Sequence, residues 1–357
     1  MRACRFAVPL ACGLALCVIA PAQSTPKQAL LVLSKTNHTL AIVNPKTLKV
    51  VARVPVGPDP HEVIASTDGR TAYVSNYGFG AYHTLARIDL IHHKQLAFID
   101  LAPLRGPHGL DFVHGEVWFT AEGAKAIGRY NPATRKVDWI MGTGQNRTHM
   151  LHVFPDLKRI VTTNVASGTV TILDKTNGPA GLHGPPPGSP MGMGHARGGG
   201  PPPGPPGGDW NETVVKVGRG SEGFDVTPDG KEMWVANAQD GTISVIDLTE
   251  KKVVATLDAD VPSANRLKFT LDGKLALVSL LGGPDLVILD VATRQVVKRL
   301  PIGHGAAGVL MDPDGKRVYV SCGPDNDVAV IDLKTLTVVG HVYPGGNPDG
   351  LAWAVQR

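Results

Sequence analysis

The chain is predicted to fold as an all-β, seven-bladed β-propeller whose blades are four-stranded and antiparallel. Three observations carry that expectation: a motif recurs with a period near 42 residues, each period holds four short apolar runs, and the two chain ends supply complementary parts of one unit. The period emerges on aligning the alternating strand that precedes each Asp-Gly-like turn. The residues in register are then His61, His108, His149, Glu222, Asn265, Ala307 and Asp349, at intervals of 47, 41, 73, 43, 42 and 42.

Taken in order, residues 1–22 read as a secretory signal. Arg2 and Arg5 form its positive region, Phe6 to Ile19 its apolar run and Ala20-Pro-Ala22 its cleavage site, so the mature chain is expected to begin at Gln23. The apolar run is too short, and too broken by Pro9, for a bilayer that needs roughly 20 residues. A secreted or periplasmic protein with no transmembrane segment in the mature chain follows as the expectation.

Leu30 to Ser34, Thr39 to Val43 and Val50 to Val54 then supply a second, third and fourth strand with no first strand before them. The missing strand is Gly350 to Ala354, at the opposite end of the chain. Pairing the ends closes the ring and removes the exposed edges of an open array. The unit is seen whole at Pro60-His-Glu-Val63, Thr71 to Ser75, Ala86 to Leu90 and Gln95 to Leu101. Its turns carry Asp68-Gly69, Asp229-Gly230, Asp272-Gly273 and Asp314-Gly315, which tolerate the backbone that hairpins require.

The long interval of 73 marks an insertion, residues 175–209, between the third and fourth strands of one blade. Its Gly, Pro, His and Met composition buries too little apolar surface to offset ordering, so a disordered loop is expected. His183, Met191, Met193 and His195 within it are borderline and soft donors that suit copper. Elsewhere, few aromatics with 42 Gly and 29 Pro favour short strands over long helices.

The formal charge of +4 falls to +2 without Arg2 and Arg5, which gives no general electrostatic case for nucleic acid or an anionic membrane. Cys322 is the sole cysteine beyond residue 22, so the fold must hold by packing and not by disulfides. No G-x-S-x-G elbow, P-loop, H-E-x-x-H or C-x-x-C-H sequence occurs.

Tyr73-Val-Ser-Asn76, Trp234-Val-Ala-Asn237 and Tyr319-Val-Ser-Cys322, each followed by a strand ending Ile-Asp-Leu, resemble the YVTN-type (40-residue repeat) β-propeller family. The resemblance covers essentially the whole mature chain and implies a secreted or surface protein. It further implies a binding role, with nucleic-acid binding in one branch and lactonases and a metal-dependent lyase among related propellers. The tetrad departs from pattern at Phe119-Thr-Ala-Glu122 and at Val278-Ser-Leu280.

In a propeller the first strand is innermost, so the register residues converge on the central channel. Three of them, His61, His108 and His149, fall on successive blades and offer neutral lone pairs suited to one zinc, copper or iron ion. A wet channel lined by plain polar side chains is the other reading of the same ring. Arg105, Arg147, Arg219 and Arg266, with Asn265 and Asp349, suggest a mouth that takes a small carboxylate or phosphate. The ends of the second strands add Lys35, Asn76, Glu122, Asn164 and Asn237, and Tyr77, Phe79 and Tyr82 form an aromatic loop on the same face.

The leading expectation is a monomeric, non-enzymatic binding or scaffold protein that presents this face to a small anion, a metal or a protein partner. The enzyme alternative is a metal-dependent lyase, lactonase-like hydrolase or oxidase in which the histidines hold the ion and Glu222 is acid or base. Nucleic-acid binding is a third reading, disfavoured by the charge.

Overall fold

Twenty-eight strands form seven antiparallel sheets of four in the computed structural model, which describes residues 24–176 and 209–357. The expected seven-bladed propeller is what the chain forms. The blades are numbered from the first complete one, whose strands are Pro60–Ala65, Thr71–Asn76, Thr84–Asp89 and Lys94–Asp100. The seventh joins the ends of the chain: Pro348–Val355 pairs antiparallel with Gln28–Ser34, bringing Leu30 opposite Trp353 and Gln28 opposite Val355. Among the described residues no helix is long and apolar enough to cross a membrane. The expected signal segment and the expected His and Met donors of the insertion lie outside the described residues. The flanks of that insertion are strand, since Thr169–Lys175 pairs with Trp210–Lys216 up to Lys175 opposite Trp210.

The four strands of a blade differ in burial, and the sequence says why. The second strand lies between neighbouring blades on both faces and is continuously apolar or hydroxylated, as in Thr71–Asn76, where all but Thr71 are buried. The fourth is the outer rim and alternates, as in Lys136–Gly142. Apolar side chains from adjacent blades mesh between the sheets; Leu31, Leu33, Ile42, Val74 and Ile88 form one such layer, across the junction where the ring closes. Cys322 belongs to another layer, and burial pushes its thiol up to about 12, as befits a packing residue.

One irregularity repeats in every blade and creates the central ring. Each innermost strand slips register against the second strand, and the ring residue lies inside the slip: between Pro60 and Val63 for His61, Pro107 and Leu110 for His108, and Thr148 and Leu151 for His149. The same shift brackets Glu222, Asn265, Ala307 and Asp349. A bulge of this kind re-aims a side chain, here toward the axis.

The bulge leaves an N–H without its strand partner, and a hydroxyl from the second strand supplies one. The N–H of Glu62, Gly109, Met150 and Arg266 donates to Ser75, Thr120, Thr163 and Ser279 at 3.0, 2.9, 3.3 and 3.0 Å. Three of these hydroxyls then donate to the ring carbonyl of the next blade, Thr120 to His149, Thr163 to Glu222 and Ser279 to Ala307, at 2.6, 2.7 and 2.7 Å. Ser321 does the same to Asp349 at 2.5 Å. The third position of the tetrad therefore couples neighbouring blades around the axis in four of the seven, through Thr120, Thr163, Ser279 and Ser321.

Candidate functional site

The ring is approached through seven tight turns. The residue two before each ring member has positive φ in every blade: Asp59, Gly106, Arg147, Gly220, Ser263, Gly305 and Asn347. Its carbonyl accepts the N–H of the residue just past the second strand, as Asp59 does from Tyr77 and Gly106 from Glu122. A second ring thus lies above the first, composed of Lys35, Tyr77, Glu122, Val165, Ala238, Leu281 and Gly323. This corrects one alignment: Thr120, and not Ala121, is the equivalent of Ser75, so the second-blade tetrad is Trp118-Phe-Thr-Ala121 and Glu122 corresponds to Tyr77. Glu122, placed on this face from sequence as a second-strand end, thus belongs to the ring above those ends.

Together the rings enclose a cavity of about 620 Å³ at the channel mouth. It is lined by His61, His108, His149, Glu222, Arg147, Asn265, Arg266 and Asp349, all predicted for the site. Arg105 and Arg219 do not line it. Arg105 is exposed, and Arg219 is turned outward onto Asp240 at 2.7 Å.

The three histidines are neighbours but not equivalents. His108 and His149 face one another with ring centroids 3.8 Å apart, whereas His61 is 5.0 Å from His108. Nε2 of His61 is engaged by Lys35 Nζ at 2.8 Å and Asp59 Oδ1 at 3.1 Å, and its Nδ1 faces Asp349 at 3.4 Å. His149 Nδ1 lies 2.5 Å from Glu122 Oε1. Tyr77 Oη donates to the other Glu122 oxygen at 2.5 Å, and Arg147 reaches that oxygen at 3.4 Å. His108, Glu122 and His149 are buried, at 2, 6 and 3 % exposure, and one ligating atom from each falls within 4.8 Å of the others.

Two imidazole nitrogens of this group lack hydrogen-bond partners although buried: His108 Nδ1 and His149 Nε2. His149 Nε2 does face Glu222 Oε2 at 2.9 Å, on the side of the ring away from Glu122, so His108 Nδ1 is the nitrogen left without any close polar partner. Orphaned buried polar atoms are rare in native proteins.

The arginines expected to attract an anion are consumed by carboxylates. Arg147 lies between Glu122 and Glu222, at 3.4 and 3.6 Å. Arg266, in the innermost strand of the fifth blade, forms an ion pair with Glu62 of the first, across the channel. Arg266 lines both the mouth cavity and a second cavity of about 400 Å³, which Glu62 also lines. The position after the ring is glycine in four blades, at Gly109, Gly223, Gly308 and Gly350, which lets the innermost strand of the next blade approach closely. A Cβ on Gly223 would meet Asn265 O at 2.3 Å, and one on Gly350 would meet His61 O at 2.4 Å.

Charge is distributed accordingly. Burial pushes Glu222 up, but His149, Arg147 and Arg266 more than reverse it and hold the carboxyl at about 2. Glu122 is likewise held below its ordinary value against burial, by His149, Tyr77 and Arg147. Burial, with the nearby cationic groups, depresses His108 well below the usual imidazole range, leaving it a neutral donor. His149 moves the other way: burial opposes its charge, and Glu222 and Glu122 outweigh it.

No family model matches the chain. A stretch of 128 residues is 24% identical to Antigen Lp49 of Leptospira interrogans serogroup Icterohaemorrhagiae serovar copenhageni, covering 34% of this chain and 28% of that protein. The chain therefore spans well under two thirds of that relative. Solved structures share the fold over most of their length. A candidate 6-phosphogluconolactonase from Bacteroides uniformis superposes with a TM-score of 0.68 at 15% identity, covering 91% of this chain and 99% of that one. Hydrazine synthase of Kuenenia stuttgartiensis gives 0.65 at 17% identity, with 85% and 92% covered. NirN, a dihydro-heme d1 dehydrogenase solved with DHE, gives 0.60 at 15% identity, with 92% and 75% covered. At these identities the likeness is one of fold alone.

Proposed function

We propose that this propeller binds one divalent transition-metal ion at its channel mouth through His108, Glu122 and His149, and presents it to a small molecule held in the mouth cavity. The observation that carries the reading is the buried cluster of His108, Glu122 and His149, whose ligating atoms fall within 4.8 Å of one another, with His108 Nδ1 buried and lacking a hydrogen-bond partner. Two imidazoles and one carboxylate are the donor set of catalytic zinc sites, which keep a further position open. The metal when bound would supply a Lewis acid or a water of lowered pKa. Tyr77 and Arg147 orient Glu122, and Glu222 stands at the cavity wall as an ionised carboxylate beside His149. This chemistry suits a hydrolase or lyase. His61, engaged by Lys35, belongs to the cavity wall in this reading and not to the ligand set.

The pattern of residues 1–22 supports export, and the Tyr-Val-Ser-Asn recurrences support a place in the YVTN-type repeat family. The test of the metal reading is elemental analysis of protein incubated with zinc and desalted. About one equivalent per chain is expected in the unaltered protein and little in His108→Ala, His149→Ala or Glu122→Gln. Metal-free unaltered protein, after exposure to zinc, copper, iron and manganese in turn, overturns it.

A further inference from the structure

The mouth cavity is mostly polar with one apolar patch, and each of its fixed cations already has a carboxylate partner. On the side of the first four blades stand the histidines, Glu222 and Arg147; the fifth to seventh blades bring an apolar patch of Leu281, Ala307, Pro324 and Pro348 beside the polar Asn265, Arg266, Asp349 and Lys35. Leu281 is half exposed and forms part of the rim. Arg266, paired with Glu62, lines the cavity, so a ligand meets polar groups on most sides and an apolar patch at Leu281, Ala307, Pro324 and Pro348.

Each fixed cation of the mouth has carboxylate partners. Lys35 is 3.7 Å from Asp59 and 3.4 Å from Asp349, Arg147 lies between Glu122 and Glu222, and Arg266 is bound to Glu62. Five carboxylates face three fixed cations, an excess of two negative charges that one divalent ion offsets. An anionic ligand entering the loaded site would have the ion alone to receive it, since Lys35, Arg147 and Arg266 are already paired, and would stand against Glu222 and Asp349. A cationic ligand would stand against the metal.

We infer that the metal-loaded mouth takes an uncharged amphipathic molecule, with a carbonyl- or hydroxyl-type oxygen toward His108 and His149 and an apolar body against Leu281, Ala307 and Pro324. The inference rests on the metal reading above and names the ligand class of that site. It replaces the small anion that the arginines suggested from sequence. The volume of about 620 Å³ suits a compact molecule of drug-like size or smaller.

Fluorine NMR of full-length protein tests it, with 4-fluoroacetophenone, 4-fluorobenzamide and 4-fluorobenzoate as probes. Zinc content is measured on the same samples. On zinc-loaded protein the ketone and amide are expected to broaden and shift, with the benzoate at least tenfold weaker. Leu281→Arg, at a half-exposed rim position that tolerates the change, adds a free cation to the apolar patch and is expected to reverse that order. Benzoate binding as tightly as the amide to unaltered zinc-loaded protein overturns the ligand class, as does failure of all three probes to bind it, and both results leave the metal reading standing. A zinc-free sample after loading overturns the metal reading itself, and the ligand inference with it.

Discussion

Tyr77 Oη donates to Glu122 Oε2 at 2.5 Å, and the two residues hold the same structural position on consecutive blades, one residue past the second strand. The upper ring of one blade thus fixes the candidate ligand of the next. The hydroxyl is buried with the carboxylate, and burial together with Glu122 pushes the phenol above its ordinary range, so it remains a donor across physiological pH.

Replacing Tyr77 by Phe keeps the ring that packs edge-on to His61 and His108 and removes only the donor. Zinc affinity is expected to fall about 10- to 100-fold, the range seen when a group that orients a ligand is lost. Calorimetric titration with zinc checks this, and the unfolding transition should move little by comparison. Unchanged affinity would remove Tyr77 from the site.

The fold was legible because closure, period and turn chemistry repeat, and seven copies average out local ambiguity. The site was half legible. Register alone brought His61, His108 and His149 to one mouth. It could not show that Lys35 occupies His61 or that Arg147 and Arg266 are neutralised, because those contacts join residues far apart in sequence, such as Glu62 and Arg266. Glu122 was placed on this face from sequence but in the wrong register, a one-residue slip in the second-blade tetrad that the hydroxyl pairing of Thr120 with Gly109 resolves.

Thr120→Val is isosteric and removes the hydroxyl that joins the N–H of Gly109 to the carbonyl of His149. Both backbone groups are buried, so the loss is expected at about 1–3 kcal/mol, the desolvation of groups left unpaired. Urea unfolding checks it. The change also releases the strand segment that carries His149, so zinc affinity should fall in parallel.

The Glu62–Arg266 pair predicts an asymmetry between single and double substitutions. Glu62→Met leaves a guanidinium buried without its partner and is expected to destabilise by about 3–5 kcal/mol. Adding Arg266→Met fills the same space with apolar groups and should restore most of that stability. Denaturant unfolding of the two variants distinguishes a strut held by charge from one held by volume. Equal loss in both would show that shape alone matters there.

Asp59 makes the acid limb of stability readable. Burial pushes its carboxyl up, but the hydrogen bond and charge of His61, with Lys35 and the Gly78 N–H, hold it at about 2. A folded value below the unfolded one means that ionisation favours the folded state. The contribution is therefore complete above about pH 5 and is lost as pH falls from there through about 2. Asn is the matched replacement, because it tolerates the positive φ of this turn while lacking the charge. Asp59→Asn is expected to lower stability by about 1–2 kcal/mol at pH 6, a figure reduced from the full linkage value because the side chain retains some solvent contact. The gap should narrow to near zero by pH 2. Urea melts of both proteins at pH 6, 4 and 3 measure it, and a difference independent of pH would mean that Asp59 holds the turn by hydrogen bonding and not by its charge.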